Sequence, residues 1–286
     1  MPTTDISVAF IKQYEAEVHL AYQQQGTLLR NTVRTKNNVK GKSTTFQKIG
    51  TGSAGQKDRH GKVPTMNLAH SNVEVTLQDW YAGEWCDKLD EIKTNIDERG
   101  AAAKSGAYAL GRKTDELIIA AMSSATGLKT IDATSRGMTL NAALAAFEAM
   151  NDNKVPQDGE RYCAVTPNVW NQLMLIDQFA KSNYVDDKPW MKGYETRKWL
   201  GINWIQHTAL PSDRDAGVDT CFMYHKSAIG HASGADVTSD IAWHNDYASH
   251  FINNMMSQGA GIIDKDGIVK LQVKRMNFEE ASSGSN

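Results

Sequence analysis

The chain has 286 residues, 41% hydrophobic and 22% charged, a balance that excludes extended disorder, collagen and rod-like coiled coil. Its 31 Lys and Arg against 33 Asp and Glu leave a net charge of −2. That argues against a free-standing DNA-coating protein, because phosphate affinity comes from an excess of cations. No apolar run approaches the ~20 residues of a membrane span, and residues 1–10 hold Asp5 but no basic residue, unlike a signal peptide. Cys86, Cys163 and Cys221 are odd in number and far apart, which reads as buried free thiols in a reducing compartment.

In chain order, residues 6–29 read as a helix, with Phe10, Tyr14, Val18 and Ala21 at helical spacing and a stop at Gly26. Residues 43–49 are short and β-like. Gly50, Gly52, Gly55 and Gly61 follow within twelve residues, describing a mobile loop tip. Val73, Val75 and Leu77 alternate with polar partners as a half-exposed strand. Residues 40–77 therefore form a long two-stranded arm, too poor in apolar residues for a core of its own. An isolated hairpin is marginal in water, so the arm needs another surface to lie on.

Residues 101–126 give a long helix with Ala107, Leu110, Thr114, Leu117, Ile118, Ala121 and Met122 in one stripe, closed by Gly127. Thr139 is an N-cap for a helix over 140–150 whose inner face is Leu140, Ala143, Leu144, Phe147 and Met150. Residues 161–165 are a strand, and Thr166-Pro167 starts a third helix that buries Val169, Leu173 and Ile176. Strands are expected over 200–206, 220–224 and 227–231. Runs at 261–263 and 268–273 flank Asp264-Lys265-Asp266-Gly267, a type I′ hairpin signal. The tail 279–286 is polar and expected to be disordered. The class is α+β, without regular βαβ alternation.

Chemistry is sparse. Gly50-x-Gly52-x-x-Gly55 matches a dinucleotide fingerprint in letters only, because no helix follows to present its amides to a pyrophosphate. Asp264-x-Asp266-Gly267 lacks the remaining ligands of a calcium loop. The eight His residues have no zinc spacing and read as surface residues. No nucleophile motif is present. The sequence thus gives no catalytic residue, no cofactor site and no metal site. Of the seven Trp, Trp190, Trp199 and Trp204 cluster, either in a core or at an interface.

Charge is locally split. Residues 30–62 hold nine basic residues against Asp58 alone, a net of +8, and residues 74–98 hold eight acids against Lys88 and Lys93, a net of −6. Adjacent blocks of opposite sign suggest docking within or between chains. The contact residues expected between chains are Lys48, Lys57, Arg59 and Lys62 on the arm, facing Glu84, Asp87, Trp80 and Trp85.

A chain with a basic arm, an acidic block, one long helix and no catalytic motif resembles the tailed-phage major capsid proteins, with the fold named for the Hong Kong 97 phage. The resemblance is carried by the order of "MTLNAALAAFEAMNDNKVP", "RYCAVTPNVWNQLM", "YETRKWLGINWIQHTALP", "CFMYHKSAIGHA" and "GAGIIDKDGIVKLQVKR". It implies an N-terminal arm at 1–39, an extended E-loop at 40–77, a peripheral domain with a spine helix at 78–137 and 241–286, and an axial domain at 138–240. It further implies a self-assembling, non-enzymatic subunit of an icosahedral shell, built from pentamers and hexamers around double-stranded DNA that it contacts weakly and non-specifically. Its partners would be itself, a portal and, if any, a separate scaffolding protein, with no membrane. The location would be the virion, after assembly in the host cytoplasm. The arm would be mobile in the free subunit and ordered in the shell. Some relatives join an E-loop Lys to a neighbour's Asn, and Lys48, Lys57 and Lys62 lie in the matching loop, with Asn253 and Asn254 among the available Asn. The alternatives are an encapsulin-like bacterial compartment and, more distantly, a nucleotide-dependent enzyme.

Overall fold

Alternation along two strands builds the main core of the protein, seen in a computed structural model that describes residues 23–89, 98–180 and 196–278. Cys163 and Val165 of β6 (Arg161–Val165) and Cys221 and Met223 of β10 (Val218–His225) face one cluster, while Ala164, Phe222 and Tyr224 face another. Both faces of these strands are buried, which is why residues 163–165 and 221–224 run as unbroken apolar and aromatic stretches. They sit in a seven-stranded sheet of order β5-β13-β10-β6-β8-β7, with β9 (Ser212–Asp213) on β10. The other members are β5 (Lys129–Ala133), β7 (Thr196–Trp199), β8 (Ile202–Gln206) and β13 (Ile268–Lys274).

The first cluster is closed by three helices: α2 (Leu140–Asp152), α3 (Pro167–Met174) and α4 (Asp177–Ala180). Thr139 accepts from the Ala142 amide and Thr166 from the Val169 amide, so each helix starts on the cap expected of it. Thr139→Ala should cost about 1 kcal/mol, the usual worth of such a cap, read as a lower midpoint in urea unfolding. The α2 face is shifted from the expected one: Ala143 and Met150 are buried and Leu140 and Phe147 pack against the cluster, but Ala146 and Ala149 are buried as well and Leu144 is exposed. Phe179 meets Trp170, Trp199 and Trp204 edge to face, a geometry that ring quadrupoles favour. Trp199 and Trp204 are therefore core residues. Trp190 lies outside the described residues, as do the tail 279–286 and most of the 6–29 helix; residues 23–29 of that expectation are not helical. The second cluster is covered by Ile118, Ile119 and Met122 of α1 (Glu98–Ser124), together with Leu29 and Val33.

Two compact units partition the chain: Met1–Gly26, Trp80–Arg112 and Val237–Met256 in one, Thr27–Asp79, Lys113–Asp236 and Ser257–Asn286 in the other. A four-stranded sheet has the order β1-β11-β12-β4, with β1 (Arg34–Lys36), β4 (Gln78–Asp87), β11 (Ile229–His244) and β12 (Ser249–Ile262). Only the ends of β11 and β12 were expected. Their middles carry Ser, Asp, Asn and Gly, which mask a strand in a sequence reading. The hairpin expected at 264–267 is corrected: β12 and β13 belong to different sheets. Residues Lys265–Gly267 form a 3-10 turn, with the Asp264 side chain accepting from the Asp266 amide. Neither Asp266 nor Gly267 has the positive φ that a type I′ turn requires.

The arm forms as expected. β2 (Ser43–Ile49) pairs antiparallel with β3 (His70–Thr76), from Ser43–Thr76 to Ile49–His70. Its root is seated on its own chain, where Phe46, Val75 and Leu77 pack with Ala232 and Ile263.

Candidate functional site

The basic block divides into two parts with different uses. Near the root, Arg30 pairs with Asp236 at 2.5 Å, and the Lys48 ammonium with Asp264 at 2.7 Å. Lys36 donates to Thr44 Oγ1 at 2.8 Å, and the Arg34 guanidinium lies 5.7 Å from the Phe46 ring centre. These cations act within the chain. Beyond Ile49 the arm has no regular element until His70, and Lys57, Arg59 and Lys62 stand exposed. Among the described residues none of the three makes an ion pair. The letters of the dinucleotide fingerprint have a packing cause instead. A Cβ on Gly52 would lie 2.7 Å from Leu68, and one on Gly55 2.7 Å from Pro64, so these glycines let the two chains of the tip approach.

The acidic block carries a separate face in the other unit. Glu84 is exposed, and the half-exposed Asp87 accepts from the Leu89 amide at 2.7 Å. Trp85, 44% exposed, lies 4.6 to 5.2 Å from the rings of Phe251, Tyr247 and His244. Tyr81, Trp243 and Tyr247 are exposed as well, and Lys88 sits 5.6 Å over Trp243. Trp80 is half-buried. An aromatic surface edged by carboxylates is suited to a cationic partner, because ring faces and acids both attract cations. The acids at 90–97 lie outside the described residues. Asn254 is buried, donating to Ala82 O at 3.2 Å and accepting from Ser239, so it is not presented to a neighbour's Lys.

Residues 27–29, ahead of β1, are held by a network that the sequence reading missed. Asp115 on α1 is fully buried. It accepts from the amides of Leu28 and Leu29, each at 3.0 Å, from the Thr27 hydroxyl, and from His207 Nε2 at 2.9 Å. The Ala209 amide donates to His207 Nδ1 at 3.1 Å, which places the ring hydrogen on Nε2, facing the carboxylate. Burial pulls the Asp115 pKa up, but the bonds from His207, Leu28, Thr27 and Leu29 outweigh it and hold the pKa below its ordinary value. The expectation of surface histidines is corrected for His207, His225 and His231, all buried. Each has an oxygen within hydrogen-bond reach of Nε2, from Asp115, Asp158 and Gln258 respectively, the condition for burying a polar ring.

Among the described residues no group of His, Cys, Asp and Glu could hold a metal ion, and no helix is long and apolar enough to cross a membrane. The three cysteines are buried and unbridged. Burial raises the Cys163 thiol pKa and lifts that of Cys221 to about 12. A thiolate-directed reagent should therefore leave both unmodified in the native protein and label them only after unfolding, as read by intact-mass spectrometry.

Comparison with known proteins fixes the class. A family model described as phage capsid protein matches residues 6–275, and the chain belongs to that family. It is a capsid protein of the phage head shell. No curated protein matches it in sequence. Solved structures are similar across nearly the whole chain. The capsid of cyanophage P-SCSP1u has a TM-score of 0.74 at 17% identity, covering 94% of each chain. The capsid of Ralstonia phage GP4 gives 0.69 at 14% identity, covering 97% of this chain and 99% of the other. A virus-like particle from Pyrococcus furiosus gives 0.58 at 13% identity, covering 86% and 92%. The α+β coat fold expected from the sequence is thus the fold observed.

Proposed function

We propose that this chain is the major capsid protein of a tailed phage, repeated as pentamers and hexamers in an icosahedral shell around double-stranded DNA. The observation that carries this reading is the family match over nearly the whole chain. The geometry adds to it, because Lys57, Arg59 and Lys62 on an exposed arm and the aromatic-acidic face around Trp85, Glu84 and Asp87 complement each other between copies. A shell of many copies makes such modest contacts add up. A net charge of −2 suits subunits that approach one another and a lumen that does not clamp DNA. The role is structural rather than enzymatic, the location is the virion after assembly in the host cytoplasm, and the partners besides itself are a portal and any scaffolding protein. We keep the division into N-terminal arm 1–39, E-loop 40–77, peripheral segments 78–137 and 241–286, and axial segment 138–240.

Electron microscopy of the expressed protein tests the proposal. Shells or capsomers are the expected result, and small discrete particles would count against it. The likeness to a virus-like particle makes an encapsulin-like compartment the second reading. Particles filled with protein cargo rather than DNA in the native source would favour that reading.

A further inference from the structure

We propose that the arm leaves the subunit at an angle fixed by a glycine seat on β11 and β12, so that its root is a rigid lever before any neighbour is met and only the part beyond Ile49 and His70 adapts. Four glycines carry the idea, all in the same unit as the arm. A Cβ on Gly259 would lie 2.2 Å from the Thr76 carbonyl oxygen, and one on Gly261 2.8 Å from a Val75 methyl. On β11, a Cβ on Gly230 would lie 2.8 Å from the Phe46 ring, and one on Gly234 3.0 Å from a Leu77 methyl. The partners Phe46, Val75, Thr76 and Leu77 all belong to the root. None of the four glycines has a positive φ, so backbone conformation does not require glycine there. The close approach of the arm does.

Secondary contacts point the same way. Lys48 pairs with Asp264, and Lys36 donates to Thr44. The tip lacks such ties to the rest of the unit among the described residues. An arm seated at its root cannot be wholly mobile in the free subunit. The mobility expected from the sequence belongs to residues 50–69 alone.

Hydrogen exchange on the unassembled full chain tests the seat, and its use in assembly rests on the shell reading above. A free hairpin would exchange quickly, so amides of β2 and β3 should exchange at least about tenfold slower than residues 51–62, because docked segments open less often. Gly259→Ala should remove that protection while leaving β10 and β13 slow; Gly61→Ala, whose Cβ meets nothing closer than 3.4 Å, should leave it intact. A double-mutant cycle guards against simple misfolding. Gly230→Ala should lower the unfolding midpoint in the wild type and have little effect in a Phe46→Ala background, where the ring is gone. Equal effects in both backgrounds, or β2 and β3 exchanging as fast as the tip in the wild type, would overturn the proposal. A wild-type chain that forms no shell would instead remove the shell reading and leave the exchange result standing.

Discussion

Asp115→Ala should destabilise the subunit by about 3–5 kcal/mol, since it strips partners from several buried donors at once. The amides of Leu28 and Leu29 and the Nε2 hydrogen of His207 each lose their acceptor. The first consequence is local. Leu29 is fully buried in the cluster beneath β10, and Thr32 bonds Leu29 O at 2.7 Å and the Tyr224 hydroxyl at 2.6 Å. Loosening 27–29 therefore opens a core, not just a loop. Urea unfolding at neutral pH measures the loss. The pH dependence has a definite sign. The Asp115 carboxyl titrates below its ordinary value of 3.8 in the folded protein. Its contribution is fully present above 3.8 and is lost as pH falls through the lower folded value. Asp115→Asn cannot titrate, so the gap between wild type and this variant should hold from neutral pH down to about pH 4 and narrow below it. A gap that narrows instead between pH 5 and 7 would assign the linkage to another group.

The parts of this fold that were legible are those where local chemistry and tertiary role agree. Strand β6 and the caps at Thr139 and Thr166 were placed to the residue, because a cap and an apolar run signal themselves within a few positions. The arm was legible for the opposite reason, since two β-like runs too poor in apolar residues for a core of their own must form an extension. The long middles of β11 and β12 were not legible. The outer half of β11 is exposed and carries Asp236, Thr238, Ser239 and Asp240, so no core imposes alternation on it. The Asp264 turn misled because Asp-Gly is a hairpin signal only when the flanking runs pair with each other, and these pair elsewhere. Asp115 was invisible for a general reason: its partners lie 86 to 92 residues away, and a single acid on a helix stripe gives no sign of them. The inward position of Thr114 in that stripe was the nearest available signal.

Reversing Lys57 and Arg59 to Glu should slow assembly at least about tenfold at low salt, the scale on which charge steers association. The monomer should stay folded, since both side chains are exposed and touch no core cluster. The structure sharpens which charges matter. Arg30 and Lys48 are paired within the chain, so the basic block available to a neighbour is its distal part. Glu84 and Asp87 flank the exposed Trp85, which gives the arriving cations both carboxylates and ring faces. Each exposed pair contributes only about 0–1 kcal/mol, and salt screens it over ~10 Å. If the proposed pairing positions the arm, the effect should therefore be large at low ionic strength and fade as salt is raised. Glu84→Lys with Asp87→Lys in the reversed chain should restore part of the rate, because the pairs made by positions 57 and 59 are then inverted in sign, while Lys62 is left opposite like charge. Light scattering at low and high salt follows all three chains. A reversed arm that assembles at the wild-type rate at low salt would show that charge does not position it. The aromatic face would then carry the contact, and Trp85→Ala, which removes the ring that Tyr247 and Phe251 pack against, should slow assembly equally at both salt concentrations.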